Sequence, residues 1–404
     1  MAARESSVSV GTAEVIGFRL HANNLLSRRP AGDLLPVAGV CAVQNSPPGS
    51  ALLALAARVD GVTGEHVDHL VAQDKSLLQT WCMRGAPFFF PTADGPVFTS
   101  GVLPTTEAAR LRLIGGVGPA LDTLGMELDE VVERTVAQIG PVLSQRALAI
   151  GALGTELATR IADTLTAAQR AAWEAPGPYG ANQPLGEAVV HFCLRILTLR
   201  GIVCLAPRTG NTAPFVLLEE WLDGPLPETD PAADRATLLR RYLRCYGPSS
   251  RGEFAAWLGV RAGDVGPWWD TAAGELTPVE YDGRRRWIRS EDLAELRTAH
   301  ETRGVRLLPP GDPYTQSRDR DTIVDPKYQR AVWKTAGAPG VVLADGTVAG
   351  SWRSRKSGRT LTLTVTPFQP MTSRLRALAC EEAATVAVLR GAADIDVRFD
   401  DPAS

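Results

Sequence analysis

The sequence predicts an α+β fold in which helices lead three times into a pair of short strands, before a final segment made mostly of strand. Three observations carry this. Apolar residues recur at helical spacing through the first 300 positions, turn dipeptides such as Asp94-Gly95 and Asp282-Gly283 separate short apolar runs, and the last hundred residues alternate polar and apolar. At 404 residues the chain exceeds one ordinary core and should hold several domains. With 45% hydrophobic and 22% charged residues it is neither disordered nor membrane-embedded, and no apolar run reaches bilayer length.

A short lead and a helix over 15–26 open the chain, with Arg19, Asn23 and Arg28 on the polar side. Val40-Cys41-Ala42-Val43-Gln44-Asn45-Ser46-Pro47-Pro48 then runs into an apolar helix over 50–58, and a second helix covers 66–73. Apolar stretches at 87–91 and 97–99 flank Asp94-Gly95 as hairpin strands would. Helices followed by a hairpin is the winged-helix order, with the hairpin as wing. The order recurs. Helices near 127–136, 142–152, 160–169 and 187–200 precede apolar runs at 202–207 and 215–218, separated by turn residues that include Asn211. After a proline-rich linker at 223–231 a third unit begins with a helix over 232–245. Ser249-Ser250-Arg251-Gly252-Glu253 signals a capped second helix, a short third begins near Ala262, and strands over 276–281 and 284–288 close the unit. Runs at 341–343, 348–353 and 359–366 then read as antiparallel strands, followed by a helix over 373–389 and a strand over 394–399. The predicted domains are 1–125, 126–222 and 223–303, three tandem winged-helix units, and 304–404, a β-rich C-terminal domain.

Gln44 and Asn45 form an uncharged amide pair just ahead of a proline-started helix. Amides can orient a water or read a base edge without charge; they also satisfy backbone groups at helix entries. Arg84, in Trp81-Cys82-Met83-Arg84-Gly85, suits a phosphate contact or a brace for the wing, and Phe88, Phe89 and Phe90 read as packing residues. Positive charge is almost all arginine, the planar fork that grips phosphates. Arg251 and the run Arg284-Arg285-Arg286 beside Trp287 are candidate phosphate contacts of the third unit. Arg353, Arg355, Lys356 and Arg359 join Trp352 at a basic hairpin tip. For each of these a solvated charged face is the alternative. The net charge of −3 does not favour a protein that coats nucleic acid, although distribution matters more than the sum. Six dispersed cysteines without a C-x-x-C pair, and five separate histidines, predict free thiols and no metal site. No phosphate loop, nucleophile elbow or dinucleotide fingerprint is present, so no cofactor is expected. The first residues lack the apolar core of a signal peptide, which predicts a cytoplasmic protein with no membrane partner.

Taken with a distant block, Leu307-Leu308-Pro309-Pro310-Gly311-Asp312-Pro313-Tyr314 and Ser317-Arg318-Asp319-Arg320, the Gln44 segment resembles the winged-helix DNA glycosylases of the AlkZ/YcaQ type. The likeness runs from Phe18 to Phe399. The family's catalytic motif is Gln-apolar-Gln or Gln-apolar-Asp, and here Ala42 stands first and Gln44 second. The resemblance implies a β-barrel-like C-terminal domain whose basic hairpin probes the minor groove. For Asp312, Tyr314, Arg318 and Arg320 a wholly structural, ion-paired turn is preferred. The implied activity is that of a monofunctional DNA glycosylase, hydrolysing the N-glycosidic bond of N7-alkylguanine in double-stranded DNA. Bulky natural-product adducts and interstrand crosslinks are the implied lesions, in base excision repair or the self-resistance of a toxin-producing actinobacterium. Such an enzyme should act as a monomer. N7-alkylation makes the base a good leaving group, so the protein need only flip it and set a water near C1′, the task implied for Gln44 with Asn45. Ala42 supports an alternative: a non-catalytic winged-helix DNA-binding protein, either a regulator dimerising on spaced half-sites or a lesion-sequestering resistance factor.

Overall fold

The computed structural model describes residues 8–180, 182–210 and 212–402. They fall into two compact units, one formed by the residues up to Val67 with Leu239–Trp257 and the chain from Ala272 onward, the other by Asp68–Leu238 and Leu258–Thr271. No helix among the described residues is long and apolar enough to cross a membrane.

The second unit is organised around the helix Leu185–Leu199, whose sequence is apolar nearly all round and which is accordingly buried along most of its length. Leu128–Leu143, Ile150–Ala162 and Ala167–Glu174 pack their apolar stripes into one core with it. The helix predicted over 142–152 does not form. Gln145 adopts φ +56, and the helix ends at Leu143 before a new one starts at Ile150. The unit's two hairpins are Leu77–Trp81 with Pro87–Pro91 and Val203–Leu205 with Phe215–Leu217. The first differs from the expected one: Pro87–Pro91 pairs backward in sequence, and Gly95–Phe98 is a helical turn. Pro96 explains the difference, because it lacks a ladder N–H and its fixed φ suits the first turn of a helix. Asn211, expected in the turn of the second hairpin, lies outside the described residues.

In the first unit the capping box is present. Ser250 Oγ accepts from Glu253 N at 3.3 Å, while the Glu253 carboxylate accepts from Ser250 N at 2.9 Å, starting the helix Arg251–Leu258. Strands Leu276–Tyr281 and Arg284–Arg289 turn at Asp282 (φ +50) and Gly283 (φ +64), a primed turn that matches strand twist. Val8–Ser9 adds to them as a parallel third strand.

The C-terminal region holds a five-stranded sheet, in the order Asp394–Phe399, Thr360–Pro367, Thr347–Ser357, Gly340–Ala344, Val305–Leu308. This corrects the barrel-like expectation: the sheet is open, with Asp394–Phe399 and Val305–Leu308 at its edges. Closure is unnecessary because both faces are covered. Helix Ser373–Leu389 packs Ala379, Ala383, Val386 and Ala387 on one face, and delivers the last strand parallel to its neighbour as a crossover helix must. Leu20 and Leu25 from the N-terminal region, with Tyr314, Val324 and Val332, cover the other.

Candidate active site

Two buried ion pairs fasten the segment 309–322 beside the Gln44 motif. Arg58, just beyond helix Ser50–Ala56, donates to Asp312 at 2.8 and 2.7 Å, with neither side chain more than 3% exposed. Arg19 grips Asp319 through two bonds of 2.9 Å and also donates to Gly247 O and Pro248 O. Burial pushes the Asp319 carboxyl up, but the Arg19 guanidinium, with hydrogen bonds from Ser317 and Thr322, outweighs it and holds the group below the usual aspartate range.

So held, the segment brings Gly311 against the catalytic candidate. Gly311 has φ +74, and a Cβ on it would lie 3.1 Å from Ser46 O and 3.3 Å from Gln44 Nε2. Gln44 ends the two-residue strand Val43–Gln44 and lines a cleft of 660 Å³ with Ser46, Pro309, Gly311, Thr315 and Gln316. Its amide makes one long hydrogen bond, Nε2 to Ser46 O at 3.4 Å. Asn45 has a different task. It is buried, and its Oδ1 accepts from Gly49 N at 2.9 Å and Ala51 N at 3.4 Å, anchoring the start of the following helix. An oxygen so engaged is not offered to a water. Ala42 is 1% exposed with φ +57, so the first motif position presents only a buried methyl.

The rest of the cleft wall carries two cations and one aromatic ring among prolines and small residues. Arg320 lies over the ring of Trp333 at 4.5 Å, Trp333 donates its indole N–H to Thr315 O at 3.2 Å, and Lys334 is exposed on the same wall. Among the described residues no carboxylate lines the cleft. It offers amides, hydroxyls and two cations, a set suited to holding an anionic ligand and orienting a water rather than to carboxylate acid–base chemistry. Sequence reasoning gave Arg320 a structural part and passed over Gly311, Trp333 and Lys334. The signal for the last two was a Trp-Lys pair in an otherwise apolar-basic stretch.

The expected DNA contacts divide into two groups. Arg251, Arg284, Arg285, Arg353, Arg355, Lys356 and Arg359 are exposed. Arg285 stacks on Trp287, Arg353 donates to Gly337 O, and Lys356 donates to Arg390 O and Gly391 O, which orders the flank of the Ser357–Thr360 turn. Arg84 is half-buried at φ +57 in the turn Met83–Gly85. Arg286 and Trp352 are held inside instead. Arg286, 7% exposed, pairs with Glu253 at 2.6 Å; Trp352, 3% exposed, packs in the sheet core and donates to Leu308 O at 2.9 Å. A groove contact by either side chain would have to break those contacts, which sets Arg286 and Trp352 apart from the exposed group.

One cluster of metal-ligand type occurs among the described residues, His21, Glu295 and His300. The two imidazoles stack nearly parallel, 18° apart, so their in-plane lone pairs do not converge, and Arg244 already holds the Glu295 carboxylate at 2.6 and 2.9 Å. Five of the six cysteines are buried free thiols; only Cys380 is exposed. Burial pushes Cys193 and Cys204 up to about 12.

This geometry can be set beside known proteins. The chain is 29% identical to an interstrand DNA cross-link repair glycosylase of Streptomyces sahachiroi, over 96% of this chain and 98% of that one. The solved structure of the Streptomyces sahachiroi DNA glycosylase AlkZ superposes with a TM-score of 0.75 at 24% identity, covering 97% of this chain and all of the other, which establishes a shared fold. The family profile described as DNA glycosylase AlkZ-like matches residues 37–388, a span that contains the Gln44 motif, both ion-paired aspartates and the whole cleft wall. The chain belongs to the AlkZ-like DNA glycosylase family.

Proposed function

We propose that the chain is a monofunctional DNA glycosylase that hydrolyses the N-glycosidic bond of N7-alkylguanine in double-stranded DNA, including bulky adducts and interstrand crosslinks. The observation that carries this is Gln44 in a cleft that, among the described residues, has two cations and no carboxylate, in a member of a DNA glycosylase family. An N7-alkylated guanine is a cation and leaves as a neutral base, so no general acid is required. What remains is to hold the flipped nucleotide and align a water with C1′ as oxocarbenium character develops. The Gln44 amide oxygen accepts from that water; it is a weak base, and positioning is its contribution. With a methyl at position 42 and Asn45 engaged by the helix, Gln44 does this alone. The crosslink substrate is supported by the Streptomyces sahachiroi relative, whose name carries that activity.

Winged-helix units at 1–125, 126–222 and 223–303 and the β-rich domain at 304–404 form the DNA-holding scaffold of a monomer in this reading. Exposed Arg251, Arg284, Arg285, Arg353, Arg355, Lys356 and Arg359, with Arg84, supply its phosphate contacts. The test is an oligonucleotide duplex bearing one N7-alkylguanine, incubated with the protein and then treated with alkali. Strand breaks at the lesion are expected, and Gln44→Ala should slow them by about 100-fold or more under single-turnover conditions. Tight binding with no breaks at any adduct would overturn the reading in favour of a lesion-sequestering protein. An unchanged Gln44→Ala rate would remove that residue from the mechanism.

A further inference from the structure

We infer that Arg320, held on Trp333 in the wall of the Gln44 cleft, is a positioning residue that takes a DNA phosphate next to the lesion and so sets the deoxyribose over Gln44. The inference rests on the glycosylase reading and adds a residue to it. Three features single Arg320 out. It is stacked on Trp333, and that ring is itself tied to Thr315 O, so the guanidinium is aimed before any ligand arrives. Preorganisation of this kind reduces the ordering cost of binding. Of the two carboxylates next to it in sequence, Asp319 is engaged by Arg19 and Asp321 accepts from Gln329 Nε2 at 2.6 Å, and among the described residues no carboxylate lines the cleft. Arg320 therefore differs from the ion-paired arginines Arg244, Arg286 and Arg289. Its partial burial lowers its affinity for its proton, as expected of a cation short of counter-charge.

The chemistry of the ligand follows. A planar fork lacking an anion is complementary to two phosphate oxygens. A cationic N7-alkylguanine is the wrong neighbour for it, because two positive charges would repel. The phosphate flanking the flipped nucleotide is the group that must lie near C1′ and carries the right charge.

Binding to undamaged duplex gives the first arm of the test, because it needs no excision. Arg320→Gln should reduce the magnitude of the slope of log K against log salt by about 0.9, one phosphate contact on B-DNA. Arg320→Lys, which keeps the charge, should retain the slope; loss of it in the lysine variant too would mark a folding defect, which circular dichroism of both variants checks. An unchanged slope in Arg320→Gln overturns the inference. The second arm places a neutral methylphosphonate at each phosphate around an N7-alkylguanine in turn. The wild-type protein should lose affinity most at a phosphate flanking the lesion, and Arg320→Gln should show no further loss there. Additive losses at every position would move the contact away from the lesion. If the wild-type protein binds with the expected slope but makes no alkali-sensitive site, the glycosylase reading fails while the phosphate contact stands.

Discussion

Gln44 is oriented by the shape of its surroundings more than by hydrogen bonds, since its single side-chain bond is long and local. The neighbour that matters is Gly311. Its φ of +74 lies where an L side chain costs about 1–2 kcal/mol. Any Cβ would also press on Ser46 O and on the Gln44 amide, at 3.1 and 3.3 Å. Gly311→Ala should therefore lower the melting temperature modestly and slow excision in single turnover, while leaving affinity for undamaged duplex intact. An excision rate equal to wild type would show that the Gln44 amide tolerates displacement. Gln44 itself was legible in the sequence, since an amide pair before a Pro-Pro helix start is a local pattern. Gly311 was not, because the contact joins segments far apart in the chain. The cysteines give a second check at this scale: native protein treated with a thiol-alkylating reagent should be modified at Cys380 alone, because the other five thiols are buried. Modification of Cys193 or Cys204 before unfolding would contradict that burial.

Helix Ser50–Ala56 and the segment carrying Pro309, Gly311 and Thr315 are joined by Arg58 and Asp312, and Asp312 also caps the turn Pro313–Gln316 by accepting from Tyr314 N at 2.9 Å. Removing one partner of a buried pair leaves an uncompensated charge. Asp312→Ala should thus cost about 3–5 kcal/mol in urea unfolding, far more than loss of an exposed pair such as Arg29–Asp33. A cost below 1 kcal/mol would mean that water or another group compensates Arg58. Elements whose causes are local were readable: the Ser250–Glu253 capping box, the primed turn at Asp282-Gly283, and the helix Ser373–Leu389. Elements whose causes are distant were not. Asp94-Gly95 has hairpin chemistry, but Pro87–Pro91 found its partner in Leu77–Trp81, and the following Pro96 favoured helix. The barrel expectation failed for the same reason: alternation reveals strands, while coverage of both sheet faces by helices depends on tertiary contacts that alternation does not encode.

Across the chain 42 cations nearly balance 45 anions, so affinity for DNA has to come from where charge is left over rather than from the total. Much of the arginine in the third predicted unit is engaged in the fold. Arg240 pairs with Glu275, Arg244 with Asp292 and Glu295, Arg286 with Glu253, and Arg289 with Asp292, while Arg241 donates to Gly39 O. Sequence shows that these arginines cluster; it does not show that carboxylates from neighbouring helices and turns neutralise them. The same pairing makes stability depend on pH, and Asp319 gives the sign. Its folded pKa is depressed, so its pairing with Arg19 contributes fully above the ordinary aspartate value of 3.8 and is lost as the pH falls through the lower folded value. The carboxyl of Glu295 behaves alike: burial raises it, but hydrogen bonds from Arg244 and His21 outweigh burial and lower it. Unfolding free energies of the wild-type protein and Asp319→Asn, measured from pH 7 down to the acid transition, should differ most near neutrality. The gap should narrow only once the pH passes below about 4, where the unfolded carboxyl begins to hold its proton. A gap that stays constant into acid would show that the asparagine is destabilising through shape or lost hydrogen bonds, and that the charge of Asp319 does not contribute.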